Sequence, residues 1–134
     1  MAYEKEKEFV KKWLPLLQKV DKDASLKDRC RRYNAYISSK FADELIKDLD
    51  FFNFLEEAYE SNIVFNQYMQ TIEEDPIIFN PTDEYIASLD ELQIICCITY
   101  HFRADHWDNG FLISTSFANG SLLKYFKALL KDVK

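Results

Sequence analysis

"SLDELQIICCITYHFRADHWDN", residues 88–109, decides how this chain folds. It begins with Ser88 three positions before Glu91, the spacing of a capping box, in which each side chain satisfies a backbone N–H that a helix start leaves unpaired. From Ile94 to Phe102 it is apolar almost without interruption. Its β-branched residues would also suit a buried strand, and periodicity alone does not separate a buried strand from a buried helix. The cap and the length favour the helix. A helix that is apolar nearly all round must have neighbours on every side, so residues 88–108 are expected to form the buried central helix of an all-α domain.

The flanking sequence builds the rest around it. The only two glycines, Gly110 and Gly120, each follow an asparagine, and Asn-Gly readily turns with positive φ. Short helices are predicted at 111–118 and 121–132, the second with Leu122, Leu123, Phe126, Leu129 and Leu130 on its buried face. Upstream, Phe41, Leu45, Leu49, Phe52, Leu55 and Tyr59 recur by threes and fours, which predicts one amphipathic helix over 39–62. Ser39 can cap it, Asp43 and Glu44 suit its positive end, and Asn62 suits a left-handed stop. A short helix is expected within "IVFNQYMQTIEED", before Pro76. In "NPTDEYIA", Asn80 reads as a cap and Pro81 as the first helical residue. At the N-terminal end Phe9, Val10, Trp13, Leu14, Leu17 and Val20 mark a helix over 3–20, which Pro15 should kink or split. The polar "DKDASLKDRC" follows, and "RRYNAYISSK" is read as loop or extended. The expectation is a compact single-domain bundle of five to seven helices over residues 1–134.

Composition agrees with a packed core. Hydrophobic residues make up 48% and aromatics 16% of 134 residues, more than a disordered chain carries. Cys30, Cys96 and Cys97 are an odd set, two of them adjacent in an apolar run, and behave as small hydrophobes rather than bridge partners. That suits a reducing cytoplasm. The charged "MAYEKEKEFVKK" has no signal-peptide core, and no stretch approaches a membrane span, so a soluble cytoplasmic protein with no membrane partner is expected.

Charge is uneven along the chain. Residues 1–40 hold eleven Lys/Arg against six Asp/Glu, residues 41–108 hold two against sixteen, and residues 109–134 hold four against one, for a net −6. An acidic middle repels phosphate backbones. Direct nucleic-acid binding is therefore disfavoured, except through the basic "KDRCRRY". The acids can also simply keep helix surfaces soluble.

The familiar enzyme signatures are missing. Two glycines make no phosphate loop, and there is no zinc-type Cys-x-x-Cys, His-Glu-x-x-His or nucleophile elbow. No cofactor and no metal is expected. What remains is the end of the long helix. Cys97, His101 and Asp105 are spaced by four, so a thiol, an imidazole and a carboxylate stack along one side. Such a row could bind zinc or activate the thiol; the plainer reading is a core cysteine and a helix pair. Leu92, Ile95, Cys96, Thr99, Arg103 and His106 form another stripe, basic at its last turn, where cations suit the helix dipole. Arg103 entering a packed end needs a partner, and an acid or carbonyls from another segment are expected to supply it. If it faces a cleft instead, Arg103 with His106 and Trp107 could grip an anionic or nucleotide-like ligand by fork hydrogen bonds and stacking. The candidate ligand-binding residues are thus Arg103, His106, Trp107, His101 and Asp105.

"HFRADHWDNGFL", followed by "NGSLLKYFKAL", resembles a family of small bacterial proteins of unknown function. Their C-terminal half carries an aliphatic helix ending in Arg-Ala-Asp-Arg-Phe-x-Glu-Gly, then a short helix, a Gly and a final Leu-rich helix. Arg103, Ala104, Asp105 and Gly110 match; His106 stands for the family's second arginine, Trp107 for its Phe and Asn109 for its acid. The resemblance spans roughly 33–132 and implies an all-α fold and a bacterial or phage origin, with no activity to carry over.

Three functions fit these residues. The first is a non-catalytic protein-interaction or regulatory module whose partner is another protein, with a homo-oligomer also open. The second is a ligand-binding or catalytic protein, which requires Arg103, His101, Asp105 and His106 to converge on one open pocket. The third is an acidic inhibitor that mimics nucleic acid, which requires the sixteen acids of the middle segment to share a face.

Overall fold

The computed structural model describes residues 3–64, 67 and 70–131. Among these there is no strand. The α-helices run α1 Glu4–Lys22, α2 Ala24–Arg31, α3 Lys40–Asp48, α4 Phe51–Glu60, α5 Asp83–Ala87, α6 Glu91–Trp107 and α7 Ser121–Leu130, with a 3-10 turn at Pro76–Phe79 and a π-helical segment at Leu112–Phe117. The all-α expectation holds. The short helix expected within 63–75 falls partly on residues outside those described, as does Asp132, the expected end of α7.

The long buried run is helical, and its burial is complete. Every residue from Ile94 to Phe102 is buried, with Ile95, Cys96, Cys97, Ile98, Thr99 and His101 at 0% exposure. Its start is two residues later than the sequence suggests. The capping box is Asp90 with Gln93, not Ser88 with Glu91: Asp90 Oδ1 accepts from Gln93 N at 2.8 Å and Gln93 Oε1 accepts from Asp90 N at 2.9 Å. Ser88 instead closes α5, which Thr82 rather than Asn80 caps, accepting from Tyr85 N at 3.0 Å.

Residues 39–62 form two helices, not one. Ser39 caps the first, as its sequence suggests, and Asn62 is left-handed at φ 69. Between them Asp50 also turns left-handed, at φ 53, and resets the helical phase. The buried set becomes Ala42, Leu45, Leu49, then Phe51, Phe54 and Ala58. Phe52 and Tyr59, expected on the buried face, are left 69% and 50% exposed.

Near the N-terminus, α1 runs unbroken through Pro15. The proline lies on the exposed side of the helix, where water can satisfy the carbonyl its ring strands, while Trp13, Leu17 and Val20 hold the inner face. The polar "DKDASLKDRC" contains helix α2, started by Asp23, whose carboxylate accepts from Leu26 N at 3.0 Å. Its apolar signal is only Leu26 and Cys30, four apart and both buried.

Phe54 organises the core. Its ring lies 5.4 to 6.2 Å from those of Phe9, Trp13, Phe51, Phe102 and Phe117, so α1, α4, α6 and the π-helical segment meet on one aromatic residue. The uneven charge map has a structural counterpart. Lys7–Glu91, Lys12–Glu57, Arg29–Asp48 and Lys124–Asp83 each join a basic terminal segment to the acidic middle. Each pair contributes little to stability at a surface, but together they show the segregated charges as complements within one molecule.

Candidate functional site

The last turns of α6 carry the candidate residues, and the structure divides them between its two sides. His101 points inward, with no exposed surface. Its Nδ1 lies 2.7 Å from the Cys97 carbonyl, which can only accept, so Nδ1–H donates there. Nε2 is then the acceptor of the pair and receives a hydrogen bond from Ser121 Oγ at 2.9 Å. The imidazole is neutral and fully occupied. Phe79 and Tyr125 pack edge-on against its ring at 5.1 and 5.4 Å. Burial away from water holds its pKa down to about 4.

Cys97, one turn earlier, is equally enclosed. Burial pushes its thiol up to about 11, against the smaller, opposite effect of the neighbouring Tyr125 and Tyr85 side chains. A thiol in that state is a poor nucleophile. Tyr125, its own pKa raised by burial, donates its one hydroxyl hydrogen to the Ile78 carbonyl at 2.9 Å. Cys97, His101, Ser121 and Tyr125 thus form a closed polar knot that ties α6, α7 and the Pro76–Phe79 turn together.

Asp105 has a different structural role. Its carboxylate accepts from Leu112 N at 2.9 Å and from the Gly110 backbone, so it caps the segment that follows the helix. Burial raises its pKa despite those bonds. It does not orient His101, and the row of thiol, imidazole and carboxylate read from the four-residue spacing does not operate as a unit. Among the described residues no group of three His, Cys, Asp or Glu could hold a metal ion.

Arg103 lies on the other side. The partner expected from another segment is not found: among the described residues its guanidinium makes no ion pair, and its buried Nε has no hydrogen-bond partner. Its charge is felt by the half-exposed Tyr59 hydroxyl on α4, whose pKa it lowers against the larger effect of burial. Tyr100, Arg103, Ala104 and Trp107, at helical spacings of three and four, line a cleft of about 350 Å³. Phe79 and Phe111 give it aromatic walls, their rings 5.3 Å apart edge to face, and Glu74 and Asp108 complete its lining. Trp107 is 77% exposed. His106 is exposed, packs edge-on to Trp107 at 5.3 Å and does not line the cleft.

Of the five candidates, then, Arg103 and Trp107 share an open cleft, His101 and Asp105 are internal fastenings, and His106 stands outside. The second function read from the sequence needed four side chains in one pocket, and only one of them is there. Sequence reasoning missed Tyr100, Phe79 and Phe111 as cleft walls. Tyr100 was legible, three positions before Arg103 on the same face; Phe79 and Phe111 come from other segments and leave no spacing signal. Ser121 and Tyr125, the partners that close the knot, are likewise brought in by tertiary packing.

No described helix is long and apolar enough to cross a membrane. A model described as a family of unknown function (DUF6508) matches residues 5–133. No curated protein matches the chain, and no solved structure does.

Proposed function

We propose, for a chain that belongs to this family of unknown function, that it is a non-catalytic binding module which grips another protein at the end of α6, around Arg103 and Trp107. One observation carries the reading: Cys97, His101 and Asp105, the row that could have done acid–base or nucleophilic work, are consumed inside the fold, while Arg103, whose buried Nε has no hydrogen-bond partner among the described residues, lines an open aromatic cleft. Arginine and tryptophan in a partly desolvated pocket are the residues that dominate protein interfaces. A role in regulation by such binding follows, with the whole chain acting as one unit around the buried α6.

A bacterial or phage protein working in the cytoplasm is part of the same reading. Three free, buried cysteines suit a reducing compartment, and Arg103, Ala104, Asp105 and Gly110 keep the motif that suggests the origin.

The test is capture by the tagged full chain in its native host, run beside a double Arg103→Ala, Trp107→Ala variant whose helical content is checked by circular dichroism. The reading predicts a protein retained by the wild type and lost from the folded variant. Equal retention by both, or turnover of a small substrate that depends on His101, would contradict it.

A further inference from the structure

We infer that the Arg103 cleft receives a single carboxylate, carried by an acidic segment of the partner protein with an apolar residue beside it. The inference rests on the binding reading above and names the chemistry of the partner. Arg103 brings five N–H donors in a planar fork, and its Nε is already removed from water without an acceptor among the described residues. A buried donor left unmatched is unfavourable, so an incoming acceptor gains more here than on an open surface. The fork matches a carboxylate in two parallel bonds.

The surroundings narrow the anion. Among the described residues no lysine and no second arginine line the cleft, whereas Glu74 and Asp108 do. A phosphate, carrying nearly two charges, would meet one cation and two carboxylates, and nucleic acid or a nucleotide fits no better. A single carboxylate can bond to the fork while the two lining acids stay solvated and screened. At about 350 Å³ the cleft is at the small end of ligand pockets. That space suits an anchoring side chain or two, and Trp107, Phe79 and Phe111 give the apolar neighbour a surface.

The experiment is titration of the ¹⁵N-labelled full chain, following the Arg103 Nε–H and Trp107 indole N–H signals by two-dimensional NMR, with Arg103→Lys and Trp107→Phe as assignments. The probes are acetyl-Ala-Leu-Glu-Phe-Ala-amide, its Gln counterpart, sodium acetate and inorganic phosphate. The Glu peptide should shift both signals and saturate, with the Gln peptide about tenfold weaker for want of the charged fork. Arg103→Lys, which keeps charge but loses the fork, should weaken the Glu peptide to a similar extent, and acetate and phosphate should leave Trp107 unmoved. Equal binding of the two peptides, tighter binding of phosphate, or no shift up to about 10 mM peptide would overturn the inference. If the Arg103→Ala, Trp107→Ala variant loses its partner while the two peptides behave alike, the binding reading stands and only the carboxylate fails. If the Glu peptide binds but capture ignores the variant, the binding reading falls instead.

Discussion

Ser121 Oγ donates a 2.9 Å hydrogen bond to Nε2 of His101, and this contact fastens α7 to α6 within the core. The bond needs a neutral imidazole, because a protonated one has no lone pair to accept with. Polar character at the end of α6 therefore serves packing on one side of the helix and leaves Arg103 lining the open cleft on the other.

Acid should loosen the fold through His101. Its pKa falls from the ordinary 6.5 to about 4 in the folded chain, so between those values the unfolded chain binds a proton that the folded one refuses. Stability is full above pH about 6.5 and is lost as the pH falls towards 4, by on the order of 3 kcal/mol. Urea unfolding across that range should show the slope, and His101→Phe should flatten it.

Asp105→Ala strips the acceptor from the Leu112 and Gly110 backbone N–H groups. A lost cap of this kind costs about 1–2 kcal/mol. Chemical denaturation should show that loss, with unchanged binding at the Arg103 cleft.

Gly110 sits at φ +97, where a Cβ would lie 3.0 Å from Tyr33 Cε1 and 3.2 Å from Ala35 Cβ. Backbone strain and crowding act together there. Gly110→Ala should destabilise by about 1–3 kcal/mol, whereas Gly120→Ala, at φ +78 but with its nearest neighbour at 3.7 Å, should cost less by the same assay.

Phe54→Ala would empty the position where five aromatic rings converge. A loss of about 3–5 kcal/mol is expected from lost transfer energy and the cavity left behind. The melting temperature should drop accordingly.

Much of this was legible in the residues. The run from Ile94 to Phe102 has no polar face, and its burial follows from that. Ser39 and Asn62 announce a helix start and stop through their own side-chain chemistry, and the structure uses both. Asp50 was hidden because the periodicity of Leu45, Leu49 and Phe52 continues smoothly across it, while a left-handed residue shifts the register and buries Phe51 and Phe54 instead. Helix α2 was hidden because two apolar residues barely make a stripe. At the site, spacing placed Cys97, His101 and Asp105 on one side of the helix, yet could not reveal that Ser121, Tyr125 and Leu112 claim them. Ser121 and Tyr125 lie twenty or more residues along the chain, and only packing brings them in, while Leu112 reaches Asp105 through a turn that the helical spacing does not describe.

The separation of the two sides of α6 can be measured by equilibrium unfolding of Arg103→Met beside His101→Phe. Each keeps much of the side chain's bulk and removes only its polar head. We predict that Arg103→Met matches or exceeds the wild type, since it discards a buried Nε donor with no acceptor among the described residues, and that His101→Phe loses about 1–3 kcal/mol at neutral pH by stranding the Ser121 hydroxyl. A loss for Arg103→Met as large as that for His101→Phe would mean that Arg103 is itself a structural fastening, and the cleft would lose its role.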